Sequence, residues 1–218
     1  FLDYKGLTNL TAAFGKTGTL LLDPTNLTIS TAADTGTMTW TGSQFADTAV
    51  NSSNLNVTTL QNQLALSNVY VTTASAQGGT GTLTLSNDVT WSSGNSLTMF
   101  ANDDLTVNAK IEYTGSSTTG LTLQSNDDVI IGATGSINST NGALNITLNS
   151  NRDASGDGQI SIASGGSIAS NGGNIVMGGG ADPTTTGASD TATNGIRSDG
   201  NISAGSGTIS MIGAASYH

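Results

Sequence analysis

Five octets in the second half of this 218-residue chain can be laid over one another. Residues 97–104 read LTMFANDD, 121–128 LTLQSNDD, 146–153 ITLNSNRD, 175–182 IVMGGGAD and 209–216 ISMIGAAS. The first and third places are aliphatic in all five: Leu97 and Met99, Leu121 and Leu123, Ile146 and Leu148, Ile175 and Met177, Ile209 and Met211. That alternation is the period of a strand with one buried face. Successive octets start 24, 25, 29 and 34 residues apart. A second apolar pair follows the first four (Leu105 and Val107, Val129 and Ile131, Ile160 and Ile162, Ile196 with the weaker Ser198), then a lone Ile111, Ile137, Ile168 or Ile202. Gly, Ser and Asn turns separate these runs. A unit this small buries its apolar face only by stacking on copies of itself.

The pattern predicts an all-β chain: a right-handed parallel β-helix, or β-solenoid, with about three short strands per coil. Neighbouring strands sit about 4.8 Å apart, so roughly nine coils would make a rod of about 45 Å. The whole of 1–218 reads as one solenoid, with regular coils over 97–218 and less regular ones over 1–96. In the first part, Gly18 to Ile29 reads as strand, turn and strand around Asp23-Pro24, and Thr58 to Ser67 as one short helix or bent segment. The lengthening period has one origin. Asp104 and Asp128 run straight into the next strand, whereas Asp153 is followed by an insertion over 154–159 and Asp182 by one over 183–195. Both insertions leave the same corner of adjacent coils, so they are expected to touch. Such corners are where repeat proteins place contact residues.

Composition removes several classes of function. Fifteen acidic residues against five Lys and Arg leave a net charge of −10, the opposite of a nucleic-acid-binding footprint. No apolar run approaches the roughly 18 to 20 residues of a membrane helix. With no Cys and a single His, thiol catalysis, disulfide scaffolds and His-based metal sites are not expected. Disorder is opposed by a 35% hydrophobic content arranged in alternating runs.

Two sets of residues stand out as candidate sites. Asp103 and Asp104 are matched one octet later by Asp127 and Asp128. Stacking would bring like charges to about 5 Å, a repulsion of about 0.8 kcal/mol in water and more near a protein surface. Ca²⁺, which takes oxygen ligands, would relieve it. The competing expectation is that these carboxylates cap turn N–H groups, with Arg152, in the place of Asp127 one octet on, forming a local ion pair. No other cofactor is expected. Asn102, Asn126 and Asn151 share one position and could form an amide ladder. The second set, at the insertion corner, is Asp153, Asp157, Asp190 and Arg197, the polar groups expected to make contacts if binding occurs there. Catalysis is a weaker reading. Paired carboxylates about 5 Å apart suit a retaining glycosidase, but Trp40 and Trp91 are the only tryptophans, and both lie in strand-like patterns that favour packing.

Three stretches, GKTGTLLLDPTNLTI (15–29), TTLQNQLALSNVYVTT (58–73) and TLTLSNDVTWSSGNSLTMFANDDLTVNAKI (82–111), occur in an order that resembles the repeat region of filamentous-haemagglutinin-like exoproteins. These are very large bacterial surface proteins exported by two-partner secretion. The resemblance implies a right-handed β-helix serving as an adhesin shaft outside the outer membrane, with a host or neighbouring-cell surface, glycan or protein, as partner. It names no ligand. The family's secretion domain and signal are not recognisable, so the chain reads as an internal or trimmed segment. The remaining expectation is end-to-end self-association into a filament, because an open coil presents unpaired strand edges.

Overall fold

The structure, a computed structural model, describes residues 19–22, 25–35, 38–40, 45–47, 52–73, 80–192 and 194–215. The Asp23-Pro24 turn lies outside them, as do Ser216 and the side chain of Trp40. The chain is an all-β solenoid built from parallel sheets. Sheet I stacks Thr19–Leu22, Asn68–Thr72, Leu97–Ala101, Thr119–Ser125, Leu144–Ser150, Ile175–Gly179 and Ile209–Met211. Sheet II stacks Ser53–Asn56, Leu27–Ser30, Leu83–Leu85, Leu105–Val107, Val129–Ile131, Ile160–Ile162 and Ile196–Ser198. Sheet III stacks Val89–Trp91, Lys110–Tyr113, Ser136–Ser139, Ser167–Ala169 and Asn201–Ser203.

The register is the octet alignment. Leu97 pairs with Leu121, Leu121 with Ile146, Ile146 with Ile175 and Ile175 with Ile209. Met99, Leu123, Leu148, Met177 and Met211 form the parallel row two residues on. These side chains point inward and the intervening Thr residues outward, so Leu97 to Met177 in both rows are buried to 1% exposure or less. The second apolar pairs stack in sheet II in the same way, and Ile111, Ile137, Ile168 and Ile202 in sheet III. Trp91 and Tyr113 pair two residues along the same sheet, with ring centroids 5.3 Å apart. The core has room for both because their polar ends are satisfied, Trp91 Nε1–H by Asn95 O and Tyr113 O–H by Ser117 O. In the last sheet I strand, Ile209 and Met211 are each 44% exposed.

The first third departs from simple coiling. Ser53–Asn56 lies on the outer side of Leu27–Ser30, out of sequence order. A helix, α1 (Val57–Leu64), follows at once, with Asn56 as its N-cap accepting from the Thr58 N–H. It buries Val57, Leu60, Gln63 and Leu64 and lies against Val89–Trp91, the edge of sheet III. Gln61 Oε1 accepts the Thr90 N–H at 2.8 Å, and the Leu64 carbonyl accepts from Ser93 Oγ and Asn95 Nδ2. The helix thus covers backbone that a further strand would otherwise pair. Among the described residues sheets I and II hold seven strands each. Met38–Trp40 pairs antiparallel with Phe45–Asp47, outside the three parallel sheets.

Leu123, fully buried between Met99 and Leu148, tests how far the aliphatic rows carry the fold. Leu123→Ala is expected to cost about 2–5 kcal/mol, read as a lower urea midpoint. A change within error would show that the rows are not the source of stability.

Candidate acidic corner

The site lies where sheet I strands end and the chain turns into sheet II. The residue before each sheet II strand plays the same part on every coil, because its carbonyl accepts an N–H from the coil before. Asp104 O accepts from Leu83, Asp128 O from Leu105, Gln159 O from Val129 and Gly195 O from Ile160. Gln159 and Gly195, the last residues of the two insertions, therefore stand where Asp104 and Asp128 stand on earlier coils. Octet alignment would put Asp153 there. The insertion instead carries Asp153 into the loop, where it accepts from the N–H and hydroxyl of Ser155. Asp104 Oδ1 accepts the Asp128 N–H at 3.2 Å and Asp128 Oδ1 the Gln159 N–H at 2.6 Å. Both carboxylates cap the coil above, the role that Asx chemistry predicts.

Their neighbours face a different environment. Asp103 and Asp127 line an open depression of about 410 Å³ with Asn102, Asn126, Asp153, Ser155 and Asp157. Asp103, Asp104 and Asp127 each bring a carboxylate oxygen to within 4.8 Å of the others. Of the four aspartates expected as a calcium set, the structure gathers these three, while Asp128 turns to Gln159. Burial, then repulsion from Asp128, Asp104, Asp103 and Asp157, pushes the Asp127 carboxyl up to about 6. Burial also raises Asp104 and Asp128, against the lowering effect of the N–H groups they accept. Among the described residues no basic side chain offsets this charge. Lys110 pairs with Glu112 at 2.9 Å and Arg197 with Asp199 at 2.8 Å. Arg152 lies over the Phe100 ring, 5.0 Å from its centroid, so the ion pair expected of it is replaced by a cation–π contact.

The two insertions meet. Gly158 and Ser189 exchange backbone hydrogen bonds, Asp157 accepts from the N–H and hydroxyl of Thr191, and Gln159 Nε2 donates to Asn194 O. Ala188–Asp190 pairs in parallel with Gly213–Ala215. The second insertion also folds back over sheet I. This needs Gly178, where a Cβ would come within 2.1 Å of the Pro183 carbonyl. Of the four corner residues singled out in the sequence, Asp153 and Asp157 join the depression. Asp190 accepts from the Ala192 N–H. Arg197 sits apart, in a separate depression with Gln159 and Ser161.

Sequence reasoning missed what happens to the amide row. Asn126 Nδ2 reaches Asn102 Oδ1 at 3.4 Å. Asn151, in a left-handed conformation with φ 45°, leaves the row and donates to Gly156 O and Ser189 Oγ. The signal was present: Asn at the head of a Gly- and Asp-rich insertion is a residue that tolerates positive φ. Compared with family models, with curated proteins and with solved structures, the chain matches none.

The raised carboxyls have a defined pH signature. A folded value above the ordinary 3.8 means that the charged form is disfavoured in the fold. The stability that Asp127 contributes is present below about pH 4 and is lost as pH rises through about 6. Asp127→Asn should therefore raise the unfolding midpoint at neutral pH and flatten its fall between those limits. A variant with the same pH profile as the parent would show that Asp127 is solvated.

Proposed function

We propose that the chain is a non-enzymatic structural and adhesive segment of a secreted bacterial surface protein. In this reading it is a stiff right-handed β-solenoid shaft, each coil giving one strand to each sheet, that displays its corner insertions as a contact surface. Right-handed winding is the hand that parallel strand–crossover–strand connections adopt. The observation that carries the reading is the bonding between the insertions at Gly158–Ser189 and Asp157–Thr191. Loops that are merely tolerated have no need to be tied to one another. The scarcity of His and Cys favours contact over catalysis, and the resemblance to filamentous-haemagglutinin-like exoproteins supports display at the outer surface. The partner is then a host or neighbouring-cell surface, glycan or protein.

The test is attachment of beads coated with the purified chain to cell surfaces. A variant in which 183–195 is shortened to the direct connection that follows Asp128 should lose attachment while keeping a β-type circular dichroism spectrum. Attachment at the parental level would overturn the reading. Negative-stain microscopy across a concentration series separates this reading from the alternative, end-to-end self-association, by rod length.

A further inference from the structure

We propose that the two corner insertions form a releasable clasp, a strained closed state that opens locally while the solenoid stays folded. This goes beyond the adhesive reading and does not depend on it, because the opening belongs to the free chain. Unfavourable features gather where the insertions dock. Asn151 and Ala154 are two of the three non-glycine residues with left-handed backbone among the described residues, at φ 45° and 55°. Asn tolerates that conformation through its short polar side chain, which Ala154 lacks. Asn149 and Asn151 are 1% and 7% exposed, and the Oδ1 of each is closed to solvent with no hydrogen-bond partner. A buried acceptor left unpaired carries its full desolvation penalty.

What holds the clasp shut is almost entirely polar. Asn149 Nδ2 donates to Gly180 O at 3.1 Å, and Asn151 Nδ2 to Gly156 O and Ser189 Oγ at 2.9 and 3.0 Å. Gly158 and Ser189 exchange backbone hydrogen bonds. Over 154–159 and 183–192, Ala188 is the one apolar side chain that is buried. A segment with few buried apolar contacts and many exposed hydrogen bonds opens at a lower cost than a packed ladder. Leu105 and Ile146 mark that ladder, since both side chains are buried and their N–H groups are held by the carbonyls of Asp128 and Asn174. Strained backbone persists only where the surroundings hold it, and it collects at elements that switch. The closed clasp covers the carboxamides of Asn149 and Asn151, and the open one presents them to water or to a partner.

The test is native-state amide hydrogen exchange of the whole chain, read residue by residue by NMR over a range of low urea concentrations. The Gly158 and Ser189 amides are expected to exchange roughly a hundredfold faster than those of Leu105 and Ile146, at rates that low urea leaves unchanged, as local opening requires. Ala154→Gly removes the left-handed penalty without removing a bond of the clasp, so it should slow exchange at Gly158 and Ser189 by roughly fivefold and leave Leu105 and Ile146 as they are. The proposal is overturned if Gly158 and Ser189 exchange at the rate of Leu105 with the same urea dependence, since the insertions would then open only with the whole fold. It is equally overturned if Ala154→Gly exchanges at the parental rate or faster at Gly158 and Ser189, since the closed state would then hold no strain to relieve.

Discussion

Each coil of this protein finds the hydrogen-bond partners for its backbone in the coils above and below, in parallel and in register. A strand of three to seven residues has no stability alone, so the ladder between coils and the aliphatic rows it aligns form together. The ladder also dictates what the sequence can change. A slip of one residue would turn every inward side chain outward, so extra residues enter only where the chain leaves a strand. The spacing between octets grows from 24 to 34 residues while Leu97, Leu121, Ile146, Ile175 and Ile209 remain one unbroken row.

In-register stacking puts like beside like, which is favourable for Leu and Ile and costly for Asp. The corner between sheets I and II shows how the cost is distributed. Asp104 and Asp128 give a carboxylate oxygen to the next coil's N–H and so serve the ladder. Asp103 and Asp127 have no such part in it and face a common depression. The helix deals with the complementary problem of an exposed edge, since Gln61 stands in for the strand that Thr90 lacks.

The repeating part of the fold was legible because it is local. Alternation at positions one and three of each octet names the inward residues, and matching octets name their stacking partners from the order of residues alone. The corner was legible only in part. Asp103 and Asp127 follow from the alignment. The displacement of Asp153 by Gln159 and the turn of Arg152 onto Phe100 do not, because an insertion shifts the alignment at the point where the chain leaves the ladder. The role of α1 was equally hidden, since its own residues say helix but not which sheet edge it covers.

The sequence by itself determined an all-β chain of self-stacking units, with its buried rows and the corner at which it grows. The reason is that strand periodicity and turn residues act over a few neighbours. Tertiary structure alone decided which polar groups share the corner. Asp157 reaches Thr191 across 34 positions and Asn151 reaches Ser189 across 38, and such meetings depend on the path of two loops that carry no periodicity. The same path leaves Asn126 and Asn151 with unpartnered oxygens, a feature of space that no spacing in the sequence encodes.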